Sequence, residues 1–285
     1  MSPTADDYEI VPYSDRYRAD VLRLRGSFRG IAEAWNADHW RWQQEENPCF
    51  EGHVAQLALH DGAVVGMRLL QPAEWEAGSP TVRFRAPCYA GTVIEEGHRS
   101  RGLMSRLTRA VEAQAHAAGA RFALNLNAGP VTHVSALAEG WRSLGAFGAI
   151  TRPRWKDGPG LVNGVSRRLR RILSEWLPGP RSGVRVSSEA RPEAMAELAA
   201  NEERRGRIRH VKDARWLRWR YGDPSSRYQF AYVERDRRLV GYLALHRAAP
   251  PLPYAAIDLV DWERDPELPW SELLGLAIRL ADRWV

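Results

Sequence analysis

A mixed α/β fold is predicted by three features of this 285-residue chain. Two strand-like runs, His53 to His60 and Ala63 to Leu70, flank Asp61-Gly62, a dipeptide whose tolerance of positive φ makes it a strong hairpin signal. A later strand-like run ending Thr92-Val93-Ile94 passes through a basic, glycine-bearing turn, His98-Arg99-Ser100-Arg101-Gly102, into a helical run from Leu103 to Ala118. The passage from Asp38 to Leu70 also has a counterpart from Ala214 to Leu245, so the pattern occurs twice.

In chain order, Tyr8 to Tyr13 predicts the first strand and Asp15 to Phe28 a helix with Val21, Leu22 and Leu24 facing inward. A second helix carries Trp40 and Trp42 and stops at Asn47-Pro48, because a proline crowds the residue before it out of helical geometry. After the hairpin, Val82 to Ile94 is expected as one strand, bent or made irregular at Pro87, which has no N–H for a ladder. Leu103, Leu107, Ala110 and Val111 then recur at helical spacing on one face, with Arg106, Arg109 and Glu112 off it. Arg121 to Asn127 is the next strand expected, followed by a late helix before Gly140-Trp141 and a final strand.

Composition changes at 156–183, where Gly158-Pro159-Gly160 and Pro178-Gly179-Pro180 bracket a basic stretch with Arg167, Arg168, Arg170 and Arg171. A linker helix is expected there, separating a first domain, 1–155, from a second, 184–285. In the second, Trp216 and Trp219 stand beside Trp40 and Trp42 of the first, Asp223-Pro224 beside Asn47-Pro48, and Val240-Gly241-Tyr242 beside Val65-Gly66-Met67. Tyr254 to Val260 and Ser271 to Trp284 repeat the later strand and helix, without a basic glycine turn between them.

Hydrophobic residues make up 44% of the chain and charged ones 27%, a globular balance. No run approaches the roughly 18 apolar residues of a membrane helix. The first residues lack a basic segment followed by an apolar one, so a cytoplasmic protein is expected. Cys49 and Cys88 are the only cysteines and the eight histidines show no ligand-like spacing, so no metal is assigned. The net charge of +6 favours anionic partners without naming a reaction.

The turn from Arg99 to Met104 is the segment with the most chemistry. The first amides of a helix have no intrahelical acceptor and the helix dipole adds positive charge, so a phosphate is held there. Gly102 removes the Cβ that would keep it away, and Arg99, Arg101 and Arg106 supply forked donors. With its flanking strand and helix, Arg99-x-x-Gly102-x-Met104 resembles the Arg/Gln-x-x-Gly-x-Gly/Ala motif of the GNAT family of acyl-CoA N-acyltransferases. The likeness continues through Arg121 to Asn127 and Gly140-Trp141-Arg142-Ser143-Leu144-Gly145. Met104 replaces a small residue, which predicts a narrower space beside the phosphates.

The resemblance implies a GNAT fold over 1–155, followed by a degenerate, truncated GNAT-like half. It implies acetyl-CoA or another acyl-CoA as co-substrate, bound by Val93, Ile94, Arg99, Ser100, Arg101, Gly102, Leu103, Met104 and Asn127. The implied reaction is transfer of an acetyl or other small acyl group to a small-molecule or peptidyl amine by direct attack in a ternary complex. Many GNAT enzymes carry a tyrosine acid four residues before a Gly-aromatic pair, where this chain has Ala136. Candidate proton-transfer groups are Glu95 (or its neighbour Glu96) just before the turn, and His133 with Ser135 in the late helix. Cys88 is read as a small core residue and the paired tryptophans as core anchors.

Two alternatives stay open. Tandem relatives of the family include aminoacyl-tRNA-dependent transferases, and a run from Arg204 to Arg220 interleaved with Trp216, Trp219 and Tyr221 is the stretch suited to tRNA. A non-catalytic CoA-binding module is the other.

Overall fold

Apolar strand runs joined by Asp-X turns give this chain its sheets. In the computed structural model, residues 7–29, 33–49, 52–126, 128–145, 176–180, 183–201, 208–247 and 257–284 are described. The elements of the first half are β1 (Glu9–Pro12), α1 (Arg18–Arg29), α2 (Glu33–Trp40), β2 (Ala55–His60), β3 (Ala63–Gln71), β4 (Glu74–Ala77), β5 (Val82–Arg85), β6 (Cys88–Ile94), α3 (Leu103–Ala117) and α4 (Pro130–Ala138). They are followed by β7 (Val184–Ser187), α5 (Pro192–Ala200), β8 (Ile208–His210), α6 (Ala214–Tyr221), β9 (Arg227–Arg235), β10 (Arg238–Arg247), β11 (Ile257–Arg264) and α7 (Trp270–Trp284). The expected basic linker helix and the final strand of the first domain lie outside the described residues.

The chain forms two compact units, one of residues 1–142, 204–211 and 222–225, the other of 143–203, 212–221 and 226–285. In the first, an antiparallel sheet runs β1-β2-β3-β6. Its central strands are buried on both faces, so β3 is an almost unbroken apolar run instead of an alternating one. On one face Val21, Leu24 and Trp40 pack on Leu57, Met67 and Leu69. On the other Leu103 and Leu107 pack on Tyr8, Ala58 and Val65. Trp40 is fully buried, as a core anchor should be. The hairpin forms at Asp61 and Gly62, whose φ values of 49° and 77° are the left-handed pair its tight turn requires.

One strand expectation is corrected. Val82 to Ile94 is not one strand: it breaks at Ala86-Pro87, because Pro87 offers no N–H and its carbonyl accepts from Leu124 N at 2.9 Å. The freed β5 pairs instead with β4, which in turn pairs with β8, giving a separate three-stranded sheet. Of the strand expected from Arg121 to Asn127, the pairing seen among the described residues is one parallel bridge, Cys88 to Leu124, and Asn127 itself lies outside them.

The second unit has the sheet β11-β10-β9-β7, with α5 and α6 between β7 and β9 in the chain and α7 after β11. The first unit likewise runs strand, two helices and paired antiparallel strands before a long helix. Leu273, Leu276, Ala277 and Leu280 on α7 face Leu243 and Leu245 of β10 at helical spacing. The β9–β10 turn, Asp236-Arg237, takes φ values of 49° and 64° without a glycine. Trp216 and Trp219 are buried, at 9% and 8% exposure.

Candidate functional site

The site begins with an unfinished edge. β6 is hydrogen-bonded to β3 along its length, with Thr92 opposite Arg68 and Ile94 opposite Gly66. On its other side, among the described residues, it meets the bridge at Leu124, where Tyr89 N donates to the Leu124 carbonyl at 2.9 Å. Glu95 N donates to the Val65 carbonyl at 2.9 Å. Because amides alternate along an antiparallel strand, those of Thr92 and Ile94 then face the open edge and that of Val93 faces β3. The edge presents amides at the spacing of an extended ligand.

β6 ends in the predicted turn. Gly102 caps α3 with φ +73°, a left-handed geometry that L side chains resist, and a Cβ there would meet nothing within 4 Å. The first intrahelical bond is Arg106 N to the Gly102 carbonyl at 3.2 Å, so the amides of Leu103, Met104 and Ser105 open the helix without an acceptor in it. Leu103 itself is buried under the sheet, which fixes the helix start. Arg99 and Ser100 are exposed, Ser100 with φ 61°. The Arg99 Nε donates to the Ile94 carbonyl at 3.1 Å and the Arg101 Nη2 to the Gly97 carbonyl at 3.1 Å, tying both side chains to the turn. Arg106 is drawn away, its Nη2 donating to the Tyr8 carbonyl at 2.8 Å. Tyr8 and His98 are joined through the hydroxyl and Nδ1 at 2.9 Å, which anchors the turn to the strand beside it.

Met104 does not crowd the helix start. Its thioether turns to the sheet and accepts from Arg68 Nη1 at 3.0 Å. There it joins a cleft between α3 and α4, lined by Arg68, Tyr89, Met104, Thr108, Glu139 and Trp141 among others. Arg68 lies over the Tyr89 ring at 4.1 Å and donates to the Thr92 hydroxyl at 2.7 Å. The Tyr89 hydroxyl donates to Glu112 at 2.5 Å and the Trp141 indole donates to the same oxygen at 3.2 Å. Burial, then the bond to Glu112, raises the Tyr89 pKa well above the ordinary phenol range, so it stays protonated.

The sequence candidates fall in different places. The Glu95 carboxylate accepts from Arg23 Nη1 at 2.7 Å. His133 is exposed on α4, while Thr132, Ser135, Ala136 and Glu139 form the helix face that lines the cleft. Asn127 lies outside the described residues. Burial pushes the Cys88 thiol up to about 11, which suits a packing role. Sequence reasoning missed Arg68 and Tyr89. The signal available was register: Arg68 is a charge within a run of apolar strand residues, a placement that asks for a reason.

In the basic run, Arg209 donates to Glu76 at 2.7 Å, Lys212 to Glu263 at 2.8 Å, Arg220 to the Tyr228 hydroxyl at 2.5 Å, and Arg218 pairs with Glu193. Intramolecular partners therefore take much of its charge. Among the described residues no cluster of His, Cys, Asp and Glu is suited to a metal, and no helix is long and apolar enough to cross a membrane.

Residues 21–132 match the family model described as the acetyltransferase (GNAT) family. This segment is a GNAT domain. No curated protein matches the chain. Among solved structures, an Enterococcus faecalis V583 protein described as a probable N-acyltransferase superposes with a TM-score of 0.61 at 12% identity, over 97% of this chain and 62% of its own. A GCN5-related N-acetyltransferase from Kribbella flavida gives 0.57 at 14% identity, over 97% and 61%. Saccharomyces cerevisiae N-myristoyltransferase with bound myristoyl-CoA gives 0.59 at 12% identity, over 99% and 71%. The chain thus spans about six-tenths of the first two proteins' length, and at these identities the likeness establishes the GNAT fold.

Proposed function

We propose that the chain is an N-acyltransferase that takes an acetyl or other small acyl group from acyl-CoA and gives it to an amine. The observation that carries this reading is the continuity of two donor-rich features. An open strand edge at Thr92 and Ile94 leads directly into a helix start capped by a left-handed glycine. The edge suits the amide-bearing pantetheine arm and the helix start suits the pyrophosphate. Arg99, Arg101 and the Ser100 hydroxyl add donors around the phosphates, with the amides of Leu103, Met104 and Ser105 at their centre.

In this reading the thioester carbonyl lies against the Thr92 amide, which meets the oxyanion as it forms. The amine nitrogen attacks the carbonyl carbon, the C–S bond breaks, and the proton shed by nitrogen ends on the departing thiol. Glu95 and His133 are the relay candidates from sequence. At the corresponding helix start of the second unit the described residues offer no equivalent donors: between β11 and α7 lie Asp265 and Glu267, with Glu272 in the first helical turn. Carboxylates at a helix start repel phosphate. We read that unit as the degenerate GNAT-like half.

Thiol release from acetyl-CoA across a panel of small amines and amino-terminal peptides tests the proposal. Amine-dependent release, with acylated product seen by mass spectrometry, is the expected result. Binding of acyl-CoA without release across the panel would reduce the protein to a CoA-binding module.

A further inference from the structure

Arg68 is a buried cation in the cleft to which the transfer reaction assigns no role. It is 5% exposed, yet among the described residues it makes no ion pair. Its partners are the Thr92 hydroxyl, the Met104 thioether and the face of Tyr89, and its Nε is buried without an acceptor. The carboxylates nearby are committed elsewhere: Glu112 to Tyr89 and Trp141, Glu139 to the Ser105 hydroxyl at 2.5 Å. A buried guanidinium has five N–H donors and is costly to keep without an anion. One thioether and one hydroxyl do not satisfy it.

We propose that Arg68 receives the terminal carboxylate of the acyl group, so that the preferred donor is a dicarboxylic acyl-CoA of the malonyl or succinyl class. This rests on the acyl-CoA reading above. The link is Thr92, whose amide faces the open edge where the thioester carbonyl is placed and whose hydroxyl is held by Arg68 at 2.7 Å. A short acid extending from that carbonyl reaches the guanidinium, where the planar fork suits a carboxylate. The cleft wall also carries Ser105, Thr108, Asn125, Thr132 and Ser135, whose hydroxyl and amide groups can hydrogen-bond a carboxylate.

Calorimetric titration of the intact protein with CoA, acetyl-CoA, malonyl-CoA and succinyl-CoA provides the test. One dicarboxylic donor should bind at least tenfold more tightly than acetyl-CoA. In Arg68→Gln the two should fall within twofold of one another, and Arg68→Lys should keep part of the difference. Acetyl-CoA binding as tightly as both dicarboxylic donors overturns the proposal while leaving the acyl-CoA reading intact. So does an Arg68→Gln that weakens every donor equally, because Arg68 would then act on the shared thioester end. Failure of all four compounds to bind defeats the acyl-CoA reading and this proposal with it. If circular dichroism shows that Arg68→Gln does not fold, the preference of the intact protein decides alone.

Discussion

Gly102 takes a backbone angle of +73° where there is room for a side chain, so its requirement is conformational and not steric. Gly102→Ala should cost about 1 kcal/mol of stability through that angle. A thermal melt should show its midpoint lowered by roughly 2–4 °C. At Tyr89, the phenol supplies one of two donors to Glu112. Tyr89→Phe should therefore cost about 1–3 kcal/mol, read by urea unfolding, since the carboxylate loses a partner in a half-buried place. Gly102 and the arginines around it were legible in the sequence because a helix start declares itself locally. Arg68 and Tyr89 were not, because their meeting depends on which face of β3 and β6 is turned to α3, and a bulge in the β3–β6 pairing between Leu69 and Leu70 resets that alternation.

At the scale of elements, the second unit is tied together by a polar cluster between α6 and the edge of its sheet. Lys212, just before α6, donates to Glu263 at 2.8 Å and pairs with Asp261, while Tyr221 and Tyr242 donate to Asp261 at 2.8 and 3.0 Å. Burial works against the Lys212 ammonium, but the two carboxylates outweigh it and hold its pKa above the ordinary value. Lys212→Met removes the cation that Asp261 and Glu263 share and should destabilise the unit by about 3–5 kcal/mol, measured by chemical unfolding. Hairpins and long helices were readable here because their signals are local: Asp61-Gly62, the spacing along α3, the α7 stripe. The bridge at Leu124 and the sheet β5-β4-β8 were not. Glu74 to Ala77 is too short to stand out, and β8 joins it from a distant part of the chain.

For the whole molecule, the buried tyrosines set a common response to alkali. Burial first, and then neighbouring carboxylates, raise the pKa values of Tyr89, Tyr221 and Tyr242; burial alone raises Tyr232, to about 12. The folded chain therefore keeps protons that the unfolded chain releases above about pH 10, the free phenol value. Lys212, also raised, acts in the same sense. Their contribution is complete below that pH and is lost as pH rises through the folded values. Melting midpoints should hold level from pH 8 to about 9.5 and fall beyond about 10; a level profile to pH 11 would contradict this.

The two units share an order of elements but differ at one helix start: α3 opens with Gly102 among arginines, and α7 follows Asp265 and Glu267. The donor site should therefore occur once per chain. Calorimetric titration with CoA, on the intact protein and on Arg99→Ala combined with Gly102→Asp, tests this most directly. One site per chain, with affinity falling at least tenfold in the double variant, is the expected result. No binding by the intact protein, or equal binding by the variant, would contradict the assignment of the α3 turn as the acyl-CoA pyrophosphate site.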